Sequence, residues 1–562
     1  MFIVKKKISG KEYFYLRETK RQGKKVISKT IAYLGKNKKE AEEKMQKIKN
    51  KKKQPEIMKK EMESTESKKK LITIEEIASF CKRKGFVFPS SEIYGGLAGF
   101  WDFGPLGVEL FNNIKQNWWK FFIQEKENML GIDASIISHP RTWKASGHVT
   151  CFSDVSVVCK KCKKYNKVDK NELEKAKCGF CSGELDKISA KDLNLMFKTN
   201  IGPLEENSLL SYLRPETAQG MFMDFKLVQE TSRIKLPFGI AQIGKCFRNE
   251  IAPRDFLFRV REFHIGEFEF FIHPDEFKCN LLEQKHLKLK IRLLDKETQE
   301  KGKEELREIT IGELLKEKRA DEWHAYWLAE QVLWYKELGI NTEKIKIREH
   351  KKTELSHYSS ATFDLDYEFP FGSMEIAGNA NRTQFDLTQH SKESKQELDY
   401  FDENEKKRIV PRVIEPTFGM ERAFLAVIVD GYCYDEKRQN IILKINPKLA
   451  PIKAAVFPIV KGKEYEKIAR EIYLNLKKEF SVRYDESGSI GRRYARMDEI
   501  GCPICIAVDK QSLKDKTITL RDRDTTEQIR VKIKDVRDVL RKVIIEGEDI
   551  FSFGKKINTR VK

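Results

Sequence analysis

The residues best equipped for chemistry lie between Phe238 and Phe271. Arg248-Asn249-Glu250 ends one apolar, alternating run; Pro253, Arg254 and Asp255 form a charged loop; a second run starts at Phe258. Side chains alternate faces along a strand. Read as a hairpin, the second run puts Arg259, Arg261, Phe263, Glu267 and Glu269 on one face. Phe258, Val260, Phe268 and Phe270 fall on the other. Arginine forks match phosphate oxygens and an aromatic ring gives a base a surface to stack on. That face therefore suits a flat, polyanionic ligand better than a protein core. A second constellation is Cys159-x2-Cys162 with Cys178-x2-Cys181, fifteen residues apart. Two such pairs can close a tetrahedral thiolate set around Zn²⁺. The polar intervening segment cannot fold on its own apolar content, so a structural metal is expected there. Cys502-Pro-Ile-Cys505 has no partner pair and sits in an apolar run, which makes it a core strand.

The elements that position these residues read as follows. A helix is expected near Ile72–Arg83 and a long amphipathic one over Leu106–Ile123, after the Gly-rich loop ending at Gly104-Pro105. A strand then closes at Ser138-His139-Pro140. Residues 276–345 are charged and helical in pattern, an insertion in which Trp323, Trp327 and Trp334 are core. An extended stretch brings Asp364 and Asp366 to one face. A short strand over Val413–Pro416 leads through Gly419 into a helix. The end of the chain alternates strands and helices, implying a small α/β domain with a largely parallel sheet.

The string FRNE…FRVREF resembles motif 2 of class II aminoacyl-tRNA synthetases in its glycyl-tRNA synthetase version. The long helix leading to the strand that ends at Pro140 resembles motif 1, and EPTFGMER, from Glu415 to Arg422, resembles motif 3. Arg214-Pro-Glu-Thr-Ala-Gln219 matches the glycyl enzymes rather than the prolyl or threonyl ones. The resemblance covers residues 71–562. It implies an α+β fold: an antiparallel catalytic sheet flanked by helices (71–447), a zinc-knuckle insertion (158–183), the 276–345 insertion and an anticodon-binding domain (448–562). It implies a homodimer, built on motif 1, that activates glycine with ATP and Mg²⁺ and transfers it to the 3′ end of tRNA(Gly).

The same resemblance assigns roles. Arg248 would hold the α-phosphate, Glu250 the adenine amino group, Phe263 the adenine ring, Arg259 or Arg261 the outer phosphates and Arg422 the γ-phosphate. Asn249, Phe258, Ile376 and Gly419 would complete the ATP site, with Glu375 a candidate for Mg²⁺. Glu216, Glu267 and Glu415 would fix the substrate ammonium, with Arg141 and Thr417 beside them. Two positions depart from the family pattern, which usually has Asp at Gln384 and Ser at Thr417. The alternative is a non-catalytic, synthetase-like nucleic-acid-binding protein; retention of Arg248, Glu250, Phe263 and Arg422 argues against it.

The 562 residues carry a net charge of +22. Residues 1–70 hold 24 Lys+Arg and 9 Asp+Glu, hence +15. Three short strands are expected over residues 1–36, a pattern that resembles a small β element at the start of some transposases. A charged helical or disordered linker is expected over 37–70. A basic surface of this size favours a nucleic-acid partner. No apolar run approaches the ~18 residues of a membrane span. No signal-peptide core opens the chain, and the eleven cysteines suggest reduced thiols, so a cytoplasmic location is expected.

Overall fold

The computed structural model describes residues 2–8, 11–22, 25–35, 37, 41–42, 44–45, 72–149, 154–169, 173–192, 195–204 and 208–557. The linker expected over 37–70 lies almost entirely outside these, as does Cys151. The chain divides into two units, Met1–Ile72 and Thr73–Lys562. In the first, Phe2–Ile8, Lys11–Gln22 and Lys25–Gly35 form an antiparallel sheet in chain order.

The second unit is organised by a nine-stranded sheet. Its strands are β1 (Met129–Gly131), β2 (Phe238–Phe247), β3 (Glu262–Ile272), β4 (Lys290–Leu294), β5 (Arg307–Thr310), β6 (Ile345–Glu349), β7 (Ala361–Phe369), β8 (Gly372–Thr383) and β9 (Arg412–Gly419). They lie side by side in the order β5-β4-β6-β7-β8-β9-β3-β2-β1. The pairings are antiparallel except β1–β2 and β4–β6. The segment 276–345 is therefore not simply helical. Ile291, Leu293 and Ile309 alternate with charged residues, and that period of two makes β4 and β5 an edge of the sheet.

One sheet face is covered by α1 (Pro105–Trp119), which continues as a wider turn over Lys120–Gln124, and by α2 (Glu322–Glu337). Proline at the first helical position and Gly104 as cap start α1. Gly107 is required by close approach: a Cβ there would lie 1.8 Å from the Phe86 carbonyl oxygen. Trp323 and Trp327 of α2 pack on Phe270 and Phe268 of β3 at 4.7–5.2 Å between ring centroids. Trp334 is equally buried, as expected for core. Because Phe268 and Phe270 take this face, Glu267 and Glu269 must take the other.

The last 109 residues from Ala454 begin a six-stranded sheet: Ala454–Pro458, Val482–Tyr484, Ile504–Val508, Thr517–Asp522, Gln528–Lys532 and Lys555–Ile557. Only the first three run parallel; the last three are added antiparallel, so the sheet is mixed rather than largely parallel. The connection over 523–527 is too short for the crossover that parallel pairing needs. Cys502 and Cys505 are buried in this domain's core.

Candidate active site

The hairpin β2–β3 is in register from Phe238 opposite Phe271 to Phe247 opposite Glu262. The second strand thus starts four residues later than its alternation suggests. Asp255 and Phe256 both adopt left-handed backbone (φ 58° each), and residues 248–261 form a folded loop. The expected common face of Arg259 and Arg261 with Phe263 is therefore lost. Arg259 turns back and clamps Glu250 Oε2 through Nε (3.0 Å) and Nη2 (2.7 Å). Arg261 donates to the carbonyls of Glu250 and Ala98, both at 2.9 Å.

Two further helices, α3 (Phe385–Ser394) and α4 (Met420–Gly431), follow β8 and β9. A cavity opens between the 248–261 loop, β3 and the start of α4. Arg248, Glu250, Phe258, Arg259, Phe263, Glu375, Thr417, Gly419 and Arg422 line it; Arg261, Asn249 and Ile376 do not. Arg248 lies over the Phe263 ring (5.4 Å) and is held by one bond, Nε to the Pro215 carbonyl at 3.1 Å. Arg422 lies over Phe258 (4.5 Å) and donates to the Glu375 carbonyl (2.8 Å), with the Glu375 carboxylate 3.1 Å away. Gly419 caps α4 and Thr417 belongs to β9, which extends to Gly419 rather than ending at Pro416. Asn249 is tied by its N–H to the Leu195 carbonyl, and Ile376 is buried with its carbonyl bonded to Tyr335.

Beyond Thr417 the sheet face becomes acidic and dry. Thr417 Oγ1 donates to Glu267 Oε1 at 2.8 Å, and the Thr217 N–H to Oε2 at 3.1 Å. Glu267, Glu269 and Glu415 bring carboxylate oxygens within 4.8 Å of one another, all buried. Glu216 accepts from Gln219 (2.8 Å) and lies 3.1 Å from His148 Nε2. Arg382, 1% exposed, forks to Asp386 at 2.8 Å and donates to Glu415 at 2.6 Å. Burial, reinforced by Glu216, raises Glu267. Burial and the neighbouring Glu415 raise Glu269 well above the carboxylate range, against the pull of Arg382. Burial likewise outweighs Arg382 at Glu415. At Glu216 burial is overcome by His148 and Arg382, and the group stays well below its ordinary value.

The sequence reading thus brought Glu216, Glu267, Glu415 and Thr417 to one place, but not Arg141. That side chain is exposed and paired with Glu393 at 2.9 Å, at a separate surface pocket. The reading put Glu269, whose two oxygens have no hydrogen-bond partner, on the right face without a role at the ammonium site, and it missed the Arg382–Asp386 pair. The signal for Glu269 was present in its alternation with Glu267. Gln384 bonds the Val410 carbonyl away from the cluster, so its departure leaves the acidic floor intact.

Asp364 and Asp366 share a face but answer to protein cations: Arg348 pairs with Asp364, and Arg348 and Lys346 approach Asp366 at 3.6 and 3.7 Å. Burial outweighs both cations and raises Asp366 to about 6. The folded state thus binds this proton more tightly than the unfolded chain, so stability from this group is present below pH ~4 and lost through pH 6. Asp366→Asn should be more stable than the parent at pH 7 by up to about 3 kcal/mol, with the difference vanishing near pH 4 in urea titrations.

The four cysteines come together as expected. Cys159–Cys181 and Cys162–Cys178 sulfurs are 3.6 and 3.5 Å apart, and all four lie within 4.8 Å. A tetrahedral Zn–S₄ site has sulfurs about 3.8 Å apart. The Cys162 N–H points at Cys159 Sγ (3.4 Å), which holds that thiol below its usual value despite burial. The donor set fits Zn²⁺. Among the other thiols, Cys246 and Cys279 are buried as expected, while Cys433 is only half-buried.

Residues 453–543 match the family described as "Anticodon binding domain". The glycine–tRNA ligase of Borreliella burgdorferi is 42% identical over 488 residues, 86% of this chain and 100% of the relative. Those of Treponema denticola (42%; 82% and 94% covered) and Geobacillus thermodenitrificans (44%; 84% and 98%) are similar. A prolyl-tRNA synthetase structure from Cryptosporidium parvum, 14% identical, superposes over 85% of this chain and 77% of its own with a TM-score of 0.52, which shows the fold alone. An arginine-rimmed cavity beside a buried acidic floor, on a sheet shared with synthetases and in a chain this similar to full-length ligases, leads to one assignment: the chain belongs to the glycine–tRNA ligase family.

Proposed function

We infer that this protein joins glycine to tRNA(Gly) at the expense of ATP. The observation that carries the mechanism is the place of Thr417, which lines the cavity and donates to Glu267 of the acidic floor. A nucleotide and a small ammonium-bearing substrate can meet there. Arg248 and Arg422 would hold the phosphates, Phe263 the adenine ring, and Glu250, kept in place by Arg259, its amino group. Glu216, Glu267 and Glu415 would hold the ammonium. The substrate carboxylate then attacks the α-phosphorus, pyrophosphate leaves, and the tRNA terminal hydroxyl later displaces AMP from the carbonyl. Positioning and charge neutralisation do the catalysis; no side-chain nucleophile is required.

Mg²⁺ is usually bound through one or two carboxylates plus substrate phosphates, and the exposed Glu375 carboxylate at the rim offers such a ligand. Zn²⁺ at the four cysteines would be structural. Cys178→Ser is expected to abolish stoichiometric zinc and lower the thermal midpoint, with pyrophosphate exchange retained below that midpoint. No helix among the described residues is long and apolar enough to cross a membrane. Exposed apolar residues at Ile93, Tyr94 and Leu97, with Ile136 and Ile137, support assembly as a homodimer, and the family reading favours the cytoplasm.

The floor makes glycine binding pH-dependent. Burial raises Glu267, Glu269 and Glu415 in the free enzyme, and an arriving ammonium stabilises their charged forms. Protons should therefore be released on binding, and glycine affinity should strengthen as pH rises. Calorimetry in buffers of different ionisation enthalpy reads this directly; no buffer dependence between pH 6 and 8 would contradict it. The function itself is tested by glycine-dependent exchange of labelled pyrophosphate into ATP, with alanine, serine and proline in parallel. Exchange with none of them, from folded protein with Mg²⁺, would leave the non-catalytic alternative.

A further inference from the structure

The N-terminal unit has two chemically different faces. Phe14, Leu16, Leu34 and Ala41 are buried together, with Ile3, Ala32 and Met45 packed against them. The register pairs Lys6 with Tyr13, Val4 with Tyr15, Phe2 with Arg17, and Tyr15 with Tyr33. Residues paired across strands share a face, so the side opposite the core carries Tyr13, Tyr15, Tyr33, Lys6 and Arg17, with Val4 beside Tyr15. The three rings adjoin: Tyr33 lies 6.3 Å from Tyr13 and 5.3 Å from Tyr15. Lys6 Nζ stands 5.9 Å from the Tyr15 ring centre, and Arg17 Nε reaches Thr30 Oγ1 at 3.3 Å. Tyr33 is 52% exposed.

A face meant only for solvation has no use for three adjoining tyrosines. An apolar docking face for another protein would not be flanked by Lys6 and Arg17 in a 70-residue stretch of net charge +15. Adjacent rings interleaved with Lys and Arg are how proteins hold nucleic acid without reading sequence. Bases stack on the rings and cations pair with phosphates, with affinity that falls steeply in salt. The charge commits the occupant to a polyanion, and the rings favour one with accessible bases, as in RNA loops and ends.

We propose that the Tyr13–Tyr15–Tyr33 face is an auxiliary tRNA-binding surface. It raises the affinity of the chain for the tRNA of the reaction inferred above, on which this assignment of the occupant rests, and takes no part in adenylate formation.

The test uses the full-length chain carrying Tyr15→Ala with Tyr33→Ala, Lys6→Glu with Arg17→Glu, or Tyr33→Phe alone. Kd for tRNA(Gly) is measured across a salt series, alongside tRNA-independent pyrophosphate exchange and binding of a duplex DNA of similar length. The tyrosine pair should weaken tRNA binding about fivefold or more. The charge pair should weaken it and reduce the slope of log K against log salt. Tyr33→Phe, which keeps the ring, should bind as the parent does. Exchange should be unchanged throughout. Unchanged tRNA affinity in both pair variants overturns the proposal. Parallel loss of exchange also overturns it, because the face would then be structural. Equal loss of duplex DNA binding overturns the assignment to tRNA. If the parent performs no exchange at all, the inferred reaction fails, whereas the tRNA titrations still judge the face.

Discussion

Arg248→Ala should lower glycine-dependent pyrophosphate exchange by about 10²–10³-fold in kcat/KM, the usual cost of removing one preorganised donor from a developing charge. The geometry singles this arginine out. Arg259 already gives two donors to Glu250, and Arg261, which does not line the cavity, is bound to the carbonyls of Glu250 and Ala98. Arg248 lines the cavity, anchored through Nε and braced on Phe263, so its terminal amino groups are the ones available to a phosphate. Lysine should not rescue, since it lacks both the fork and the stacking plane. Arg261→Ala, in contrast, should act chiefly by loosening the loop, with a smaller loss that appears mainly in KM for ATP. Steady-state exchange against ATP and glycine separates these cases. An Arg248→Ala enzyme within tenfold of the parent would require another group to carry the α-phosphate.

Part of this site could be read from the chain and part could not. Glu267 and Glu269 alternate with Phe268 and Phe270 in a regular strand, so period two predicted their faces. The same rule failed at Arg259 and Arg261, because two consecutive left-handed residues break the strand before them. The four cysteines were legible because metal geometry restricts their spacing. The Arg382–Asp386–Glu415 network was not. Its members lie on three elements, β8, α3 and β9, and nothing local in sequence says that an arginine near a strand end will be desolvated. In the large sheet, the helical reading of 276–345 failed for a related reason: its charged composition concealed two short edge strands.

Arg382 is where fold and function are hardest to separate, and its removal should have the largest effect on stability. It is enclosed by Asp386, Glu415, the Tyr358 ring at 3.8 Å and Phe222 at 5.4 Å. It is the cation nearest the floor formed by Glu267, Glu269 and Glu415. Arg382→Met keeps much of the volume but leaves the buried Asp386 carboxylate without its counter-charge, a change that costs about 3–5 kcal/mol. An uncompensated buried carboxylate is disfavoured in its charged form. Stability lost at neutral pH should therefore be partly recovered on acidification toward pH 5, before general acid unfolding begins. Arg382→Met with Asp386→Asn removes the stranded charge, and it should be more stable at pH 7 than Arg382→Met alone. Glycine KM should rise in both variants, because Glu415 loses the guanidinium that orients it. Urea midpoints at pH 5 and 7 for parent, single and double variants measure the first two effects, and exchange kinetics the third. A loss below about 1 kcal/mol at pH 7 would mean that the guanidinium contributes little beyond the cost of its own burial, and the acidic floor would then need another source of neutralisation.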